Sequence, residues 1–506
     1  MNLTLSLAID GGGGGDAAAA AAAVAKKSKV VGGGAVVVDG VGSSAICGGD
    51  RGSRVRDRMV KKAEEFDHEN GMAATSSDGG GGGGGMELVR LLLSAVAAGE
   101  AGDARAAAAA LREVDRRASC RGGGDPAQRV AACYAAALAP RLAAGLRPAR
   151  SSPAAPAAAR AEQFLAYTMF YQASPFYQFA HFTANQAIVE AFESGGRRRL
   201  HVVDFDVSYG FQWPSLIQSL SDAAAAATSS SSHDDDDNGG GCGDGPVSLR
   251  ITGFGASADE LRETEARLRR FAAGCPNLRF EFEGILNNGS NTRHDCTRID
   301  DDATVVVNLV FPASSREACA ATRMAYINSL NPSMVFLIEK HDGGGGLTGG
   351  DNTTTGRSAS LLPRFAANLR YFAAVFDSLH ECLPADSAER LAIERDHLGR
   401  EIADAVASLD HQHRRRHGGG GGGGDHASAS WNWKAAMEGA GLDGVKLSSR
   451  TVSQAKLLLK MKSGCGGGGF RVVEGDGGMA MSLAWRDMAL ATATVWRRRR
   501  RRRRCR

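Results

Sequence analysis

Closely spaced cysteines are missing from this chain. Its ten cysteines are scattered, none belongs to a Cys-x-x-Cys pair, and the nearest two, Cys120 and Cys133, are thirteen residues apart. Zinc modules and disulfide-rich scaffolds both require cysteines at short, regular spacings. The sequence therefore excludes both classes and favours buried thiols in a reducing compartment.

Long apolar runs are missing as well. No stretch approaches the ~20 apolar residues that a membrane-spanning helix needs. The first apolar segment, Leu3–Ile9, is short, has no positive charge before it and is followed by Asp10 and a glycine run, which argues against a secretory signal. We therefore expect a soluble intracellular protein with no membrane partner.

Excess positive charge is confined to one short segment. The formal net charge is +4, and Arg497–Arg504 with Arg506 supply nine positive charges, so subtracting them leaves −5 for the rest of the chain. This pattern predicts a mildly acidic body and an Arg-rich tail at 497–506. Such a tail binds DNA, RNA or acidic surfaces without sequence preference, or it has no selected role. The sequence leaves both alternatives open.

Several segments have too little apolar surface to offset the entropy of ordering, among them Gly79–Gly85 and Ser229–Asp237. We predict that residues 1–85 form a disordered, low-complexity region. Within it, the basic cluster Arg51–Lys62 is either a nuclear-import signal or a solvated charged helix turn. Low-complexity inserts are predicted near residues 223–246, 342–357 and 411–430.

A helical subdomain is predicted over residues 86–195. Leu88, Leu91, Leu92 and Ala95 follow the i, i+3, i+4, i+7 spacing of one helix face. Ser174 and Pro175 predict the start of a later helix, which a glycine pair ends at 195–196. The apolar stripes either simply bury one another or also form a partner-binding groove.

The remainder, 196–496, alternates strands and helices and is predicted to form the core. Near-continuous apolar strands that alternate with helices indicate a parallel sheet covered on both faces. Short glycine-rich or charged turns near the end indicate antiparallel strands added at the sheet edge. The predicted class is α/β, a Rossmann-like, methyltransferase-like, mainly parallel sheet with an N-terminal helical cap subdomain. The predicted strands are Leu200–Phe205, Ser248–Gly253, Leu278–Glu283, Thr304–Val310, Met334–Glu339, Val445–Ser448, Phe470–Glu474, Met479–Trp485 and Leu490–Val495.

The first strand and the turn after it are the natural place for a nucleotide cofactor in such a fold. A phosphate or adenosine site there needs consecutive glycines, so that the backbone can approach the ligand. This chain offers a single glycine, Gly210, beside the bulky Tyr209. The second strand ends in Thr252–Gly253–Phe254–Gly255, with no acid for a ribose. The sequence therefore predicts no cofactor and no enzyme.

Three polar residues of the first strand and its turn have structural interpretations. His201 lies within the strand, so a hydrogen-bonded core histidine is favoured over a catalytic base. Asp204 and Asp206 are expected to cap the adjoining loop or helix, or to fix an interface, because buried carboxylates are costly unless hydrogen-bonded. The acidic run His233–Asp237 is interpreted as a solvated loop, not a metal site.

These motifs resemble the GRAS family of plant transcriptional regulators over Met86–Trp496. The leucine-rich regions Leu88–Leu146 and Leu261–Leu286 flank the family's V-H-I-I-D motif in the expected order. Near the end, the family's W-x7-G and W-x10-W spacings are both present. The matching positions are Asn185, Gln186, Leu200, His201, Val202, Val203, Asp204, Asp206, Gln212, Trp213, Pro214, Arg250, Arg400, Glu401, Trp433, Gly441, Trp485 and Trp496.

The resemblance implies a nuclear transcriptional regulator of the scarecrow-like kind, because no gibberellin-response motif precedes the domain. Its implied partners are DNA-binding transcription factors and other GRAS proteins, as homo- or hetero-dimers, with promoter DNA contacted directly or indirectly. The body lacks a basic recognition helix, which favours docking on DNA-binding proteins. The alternative is an S-adenosylmethionine-dependent methyltransferase or a small-ligand-binding Rossmann-like protein.

Overall fold

The structure is a computed structural model, and all the residues it describes belong to the second of two units, Arg51–Arg506. The predictions for residues 1–82, the cluster Arg51–Lys62, the run His233–Asp237, the insert 342–357 and the tail beyond Arg499 lie outside the described residues. The described ranges are 83–118, 125–143, 157–230, 246–287, 299–312, 317–341, 361–384, 386–417, 432–463 and 468–499.

In the described residues, five helices precede the first strand, where the sequence predicts a helical subdomain. The first begins at Gly83, three residues before the predicted start, and buries Leu88 and Leu92 as its spacing indicates. The last begins after Ser174, whose hydroxyl oxygen accepts a hydrogen bond from the Phe176 N–H at 3.3 Å. It ends at Gly195 and is capped by Gly196, which has a left-handed φ of 60°. The helices are α1 (Gly83–Glu100), α2 (Ala104–Arg117), α3 (Pro126–Ala143), α4 (Ala157–Ala173) and α5 (Pro175–Gly195).

A nine-stranded sheet forms the centre of the molecule, with the order β3-β2-β1-β4-β5-β9-β8-β7 and β6 paired to β9. The first five strands are parallel, and the last four are antiparallel. The predicted class is therefore confirmed. The strands are β1 (Arg199–Asp204), β2 (Val247–Gly255), β3 (Leu278–Leu286), β4 (Ala303–Val310), β5 (Met334–Lys340), β6 (Leu442–Val445), β7 (Phe470–Gly475), β8 (Ala480–Trp485) and β9 (Met488–Arg498).

Helices cover both faces of this sheet. Among them, α10 continues through one π-helical turn, Ile393–Leu398, into α11, a feature that the sequence does not indicate. The helices are α6 (Trp213–Ser230), α7 (Ala258–Ala272), α8 (Glu317–Ser329), α9 (Leu362–Cys382), α10 (Ala388–Ala392), α11 (Gly399–His417), α12 (Trp433–Gly439) and α13 (Ser449–Ser463).

The two faces of β1 have different surroundings because successive side chains point to opposite sides of a strand. Val203 belongs to an apolar cluster with residues of β4, β5, α8 and α12, including Trp433 and Trp496. The alternate positions, Val202 and Asp204, point to the opposite face, on which α5 contacts β4, β5 and β9. One face near the end of β1 therefore carries the apolar cluster, while the other carries a buried acid.

Four predicted boundaries differ from the structure. The strand predicted at Val445–Ser448 is β6, which ends at Val445. Ser448 instead caps α13, its oxygen accepting from the Thr451 N–H at 2.9 Å. The helices α6 and α11 run into the predicted inserts, to Ser230 and His417. The strand β9 takes up the first two arginines of the predicted tail because the backbone of Arg497 and Arg498 pairs with β6.

None of the helices in the described residues is long and apolar enough to cross a membrane. Among the cysteines in these ranges, Cys133, Cys275 and Cys382 are free thiols. Cys275 is buried, as the sequence predicts, whereas Cys133 and Cys382 are half-buried.

Gly210 is a glycine whose replacement the fold should tolerate poorly. Its φ is +72°, and a Cβ atom there would lie 2.7 Å from the Thr264 methyl carbon. We expect Gly210→Ala to lower the free energy of unfolding by about 2–4 kcal/mol, because backbone strain and overpacking act together. Gly196 has φ +60° and open space around its Cα, so Gly196→Ala should cost only about 1 kcal/mol. Urea unfolding of both variants measures the difference, and equal losses would contradict the packing argument.

Candidate functional site at the carboxyl edge of the sheet

A buried polar cluster lies where β1 and β4 end. Asp204 and Asn308 are register partners in these parallel strands and are 3% and 1% exposed. The Asn308 amide nitrogen donates to Asp204 Oδ1 at 3.2 Å, and the Asp206 backbone N–H donates to the same oxygen at 3.3 Å. Asp204 therefore caps the loop that follows its own strand. This is the first of the two roles that the sequence analysis expects for it.

Two further amides connect this cluster to the neighbouring helices. The Gln212 amide nitrogen donates to Asn308 Oδ1 at 3.2 Å and to Asn185 Oδ1 at 3.1 Å. Asn185, on α5, donates to the Gln212 carbonyl oxygen at 2.8 Å and to the Ser215 hydroxyl oxygen at 2.7 Å. The cluster thus joins two strands, α5 and the start of α6 through hydrogen bonds between side chains that are almost fully buried.

Burial strongly perturbs the Asp204 carboxyl. Burial raises its pKa to about 7, the nearby charge of Asp206 acts in the same direction, and the hydrogen bonds from Asp206 and Asn308 oppose them. The side chain is therefore close to half-protonated near neutral pH. Perturbed carboxyls also occur at catalytic sites, but here the surrounding partners are amides and a backbone N–H, which hold the group in place.

His201 lies on the opposite face of β1 and is 2% exposed. Its Nε2 atom is 2.9 Å from the Thr252 hydroxyl oxygen, and burial lowers its pKa to about 4. On the same sheet, Arg250 forms an ion pair with Glu283 at 2.8 Å. A histidine with so low a pKa is a weak base, so the geometry agrees with a hydrogen-bonded core residue.

Aromatic side chains occupy the region beside the β1 turn, where doubly wound folds bind ligands. Tyr209 packs against Phe164 and Tyr167 of α4, with ring centroids 5.2 and 5.1 Å apart. Phe211 lies 5.2 Å from both Tyr167 and Tyr171. The helical subdomain therefore places its own rings against the turn, in the position of the glycine cradle of a cofactor site.

A second polar cluster lies at the end of β5, beneath α5 and α11. Lys340 Nζ is 2.7 Å from Glu401 Oε1, and the Tyr177 hydroxyl donates to the same oxygen at 3.1 Å. His397 Nε2 is 3.1 Å from that hydroxyl. Burial alone would raise the pKa of Glu401, but the charges of Lys340 and His397, together with the hydrogen bonds from Lys340 and Tyr177, outweigh it and hold the pKa at about 2. Burial lowers the pKa of His397 to about 4.

The other predicted positions are distributed over the molecule. Gln186 donates to Glu190 on α5 at 2.9 Å, Trp213 is fully buried at the start of α6 beside Pro214, and Arg400 is exposed. Leu200, Val202 and Val203 are strand core. Asn185 and Gln212 bond to each other and reach Asp204 through Asn308, while Val203, Trp433 and Trp496 share a separate apolar cluster, so the motif does not form one compact site.

The tryptophan positions serve packing and capping. Trp433 and Trp496 lie in one apolar cluster, and Gly441 follows α12 with a left-handed φ of +78°, which explains the glycine there. Trp485 lies elsewhere, and its indole N–H donates to Asp377 of α9 at 2.8 Å. The spacing that carries the resemblance thus reflects how α12 and the last strands pack.

Sequence reasoning missed Asn308 and Lys340, although both occupy the central positions of these clusters. Asn308 interrupts the apolar run of β4, and that interruption was an available signal. No comparable signal marked Lys340, because a lysine at a strand end is ordinarily solvated. Within the described ranges, no group of three or more His, Cys, Asp or Glu side chains could hold a metal ion.

Comparison with known proteins gives concordant matches. Residues 88–497 match the GRAS domain family. The chain is 32% identical over 417 residues to Protein SLENDER RICE1-LIKE 1 of Oryza sativa subsp. japonica, covering 79% of this chain and 72% of that protein. It is 30% identical over 369 residues to Protein SCARECROW of Ipomoea nil, covering 72% of this chain but only 41% of that protein. The crystal structure of SCL7 in Oryza sativa matches with a TM-score of 0.58 and 29% identity, covering 81% of this chain and 99% of that one.

The raised pKa of Asp204 predicts a stability that falls as pH rises. An unfolded aspartate titrates near 3.9, whereas the folded pKa is about 7, so the folded state binds this proton more tightly. The stabilisation that comes from the protonated Asp204 carboxyl is fully present below about pH 4 and is lost as pH rises through about 7. Asp204→Asn should abolish this dependence and, at about pH 8, raise the free energy of unfolding by about 2–4 kcal/mol.

Urea unfolding measured across that pH range tests the assignment. Asp206→Asn is the comparison variant: it removes the neighbouring charge and should move the Asp204 transition to lower pH without abolishing it. It also removes Asp206's own raised pKa, so the total change in stability with pH should be smaller than in the wild type. An Asp204→Asn variant that keeps the wild-type pH profile would show that another group is responsible.

Removing Lys340 should destabilise the second cluster. Lys340→Met leaves the Glu401 carboxylate without its cation, and we expect a loss of about 2–4 kcal/mol in the free energy of unfolding. The double variant Lys340→Met with Glu401→Gln removes the uncompensated charge and should recover part of this loss. Denaturant unfolding of the single and double variants gives the coupling, and strictly additive losses would rule out a direct ion pair.

Proposed function

Because the chain belongs to the GRAS family, we propose that it is a nuclear regulator of transcription. It acts mainly by binding DNA-binding factors and other proteins of the same family, and promoter DNA is contacted through these partners or directly. The family match over residues 88–497 supports the regulatory role. The partners and the nuclear location are part of the proposal.

The side-chain packing at the carboxyl edge of the sheet is the observation that best supports a non-enzymatic function. Tyr209 and Phe211 are in contact with rings from α4, so side chains of the protein take the position that an adenosine would need. The acid at the end of β1, Asp204, is committed to hydrogen bonds with Asn308 and a backbone N–H. These contacts favour a scaffold that works through its outer surfaces.

A groove on the helical subdomain is the candidate surface for a protein partner. It lies between α3 and α11, has a volume of about 460 Å³ and is floored by small side chains such as Ala132, Ala136 and Ala403. Arg395 and Arg400 are both exposed at its border. An apolar floor with charged borders suits a partner helix that carries a small apolar face and acidic flanks.

A single exposed alanine offers a clean test of that surface. Ala136→Glu places a charge on the groove floor, and we expect partner capture by the full chain to fall by about tenfold or more. Ala109→Glu is the matched control, because Ala109 is equally exposed on α2 and does not line the groove. Capture is measured against other GRAS proteins and candidate DNA-binding factors, with circular dichroism to confirm folding. Equal capture by both variants would place the interface elsewhere.

The methyltransferase alternative needs a separate measurement. Titration calorimetry of the full chain with S-adenosylmethionine is expected to give no saturable heat, because the aromatic packing leaves the β1 turn without a cradle for adenosine. A stoichiometric, saturable response would favour the enzyme. A fluorescent fusion of the full chain should accumulate in plant nuclei, and a fusion retained in the cytoplasm would contradict the proposed location.

A further inference from the structure

The two most exposed large apolar side chains in the described residues lie on one helix, α13. Leu457 and Met461 are 48% and 53% exposed, and they are four residues apart, so they share one helix face. Exposed apolar residues are normally scattered singly over a surface. These two adjoin each other, away from the side of the helix that buries Ala455, Leu458 and Leu459. This part of α13 is therefore an apolar face that no described element covers.

The helix α13 lies antiparallel along α5. At one end, Arg450 pairs with Glu193 in the last turn of α5 at 3.0 Å. At the other end, Lys462 Nζ donates to the Gln172 carbonyl oxygen, just before α5 begins, at 2.8 Å. Arg450 belongs to the same helix row as the exposed apolar pair, because it precedes the first member of the pair by two turns. The pair therefore lies on the flank of α13 next to α5.

Matched rows of side chains border the seam between these two helices. Each row has the spacing i, i+4, i+7, i+11 of one helix face. Because Glu193 pairs with Arg450 and the helices are antiparallel, Phe182 lies at the level of Met461. The seam is therefore a shallow trough, the α5–α13 trough, with apolar side chains along it. The rows are Phe182, Gln186, Val189 and Glu193 on α5, and Arg450, Gln454, Leu457 and Met461 on α13, all of them half-buried or exposed.

Positive charge is concentrated at one end of the trough. The last two turns of α13 carry Lys456, Lys460 and Lys462 and no acid, and they surround the exposed apolar pair. Long lysine stems extend an apolar surface while their ammonium groups stay in solvent. The acid of the trough, Glu193, lies at the opposite end. A ligand that fits must therefore bring apolar side chains for the trough and negative charge for its lysine end.

Two exposed glutamates favour a polypeptide over a uniformly charged polyanion. Glu193 lies 3.0 Å from Arg450, and Glu474 of β7 lies 2.8 Å from Lys456. Both acids repel the evenly spaced phosphates of DNA or of a lipid surface. A helix whose acidic residues are confined to one end avoids this repulsion.

We propose that the α5–α13 trough docks an acidic amphipathic helix of a partner protein. The apolar stripe of that helix packs on Leu457, Met461 and Phe182, and its acidic end lies over Lys460. Helices that bind in grooves anchor through apolar side chains at i, i+3 or i+4, and i+7, and complementary charge sets their orientation. The trough shares no residue with the groove between α3 and α11. The inference rests on the proposed function, since it gives the regulator a second protein partner.

Fluorescence anisotropy of the full chain with labelled helical peptides of about 20 residues tests the proposal. The first peptide has leucines along one face and glutamates at one end. A second peptide has lysine in place of each glutamate, and a third has alanine in place of each leucine. We expect the first peptide to bind at least about tenfold more tightly than either of the others.

Exposed positions allow variants that leave the core unchanged. The double variant Leu457→Ser with Met461→Ser should weaken binding of the acidic peptide by about tenfold or more, because the apolar contact is lost. Lys460→Glu should weaken it by about fivefold through charge repulsion. Leu286→Ser is the matched control, since this leucine is 39% exposed on β3, at the opposite end of the sheet. Circular dichroism checks that each variant is folded.

The Ala136→Glu variant separates this proposal from the proposed function. It should lose partner capture at the groove between α3 and α11 and still bind the acidic peptide, whereas the double variant should do the reverse. Unchanged peptide affinity in the double variant, or equal binding of the lysine peptide, would overturn the docking proposal alone. A dimer in analytical ultracentrifugation that the double variant loses would assign the trough to a second copy of this chain and overturn it too, as would tighter binding of duplex DNA that Lys460→Glu abolishes.

Discussion

The hydrogen bonds around Asp204 are the constraint on which the rest of the architecture depends. A carboxyl that is 3% exposed must have partners, and these come from β4 and from the backbone after β1. Through Gln212 and Asn185 the same network fixes the start of α6 against α5. Because α5 follows α4 directly, this network also determines where the aromatic rings of α4 meet Tyr209.

As a consequence, helices of the protein itself occupy the carboxyl edge of the sheet, where doubly wound folds usually bind a ligand. In such folds the crevice beyond the strand ends binds the ligand because short glycine turns leave space there. Here Gly210 is the single glycine of the turn, and the Thr264 methyl is already within 2.7 Å of where a Cβ would be. Lys340 and Glu401 add a half-buried ion pair at the end of β5. Both clusters hold elements together, which agrees with a scaffold that presents surfaces to partners.

Local signals in the sequence were sufficient to predict the sheet class, most strands and the helical subdomain. Apolar runs, and caps such as Ser174, depend on residues that are close in sequence, so strands and helices can be predicted from them. The errors have non-local causes. β6 and the end of β9 are defined by pairing with each other. The π-helical turn has no amino-acid pattern that distinguishes it from an α-helix. The site was predicted only in part, because Asn308 reaches Asp204 across 104 residues and Lys340 reaches Glu401 across 61.

Ion pairs between distant segments make the helical subdomain inseparable from the later helices. Arg129 of α3 contacts Glu394 of the π-helical turn at 2.8 Å, with both side chains at most 5% exposed. Arg390, also fully buried, lies 3.7 Å from the same carboxylate. Expressing residues 86–195 alone would leave Arg129 without its anion, and a buried charge without a partner is strongly destabilising. The groove between α3 and α11 exists only when both segments are present, so the surface proposed for partners is a property of the whole fold and not of its leucine-rich helices.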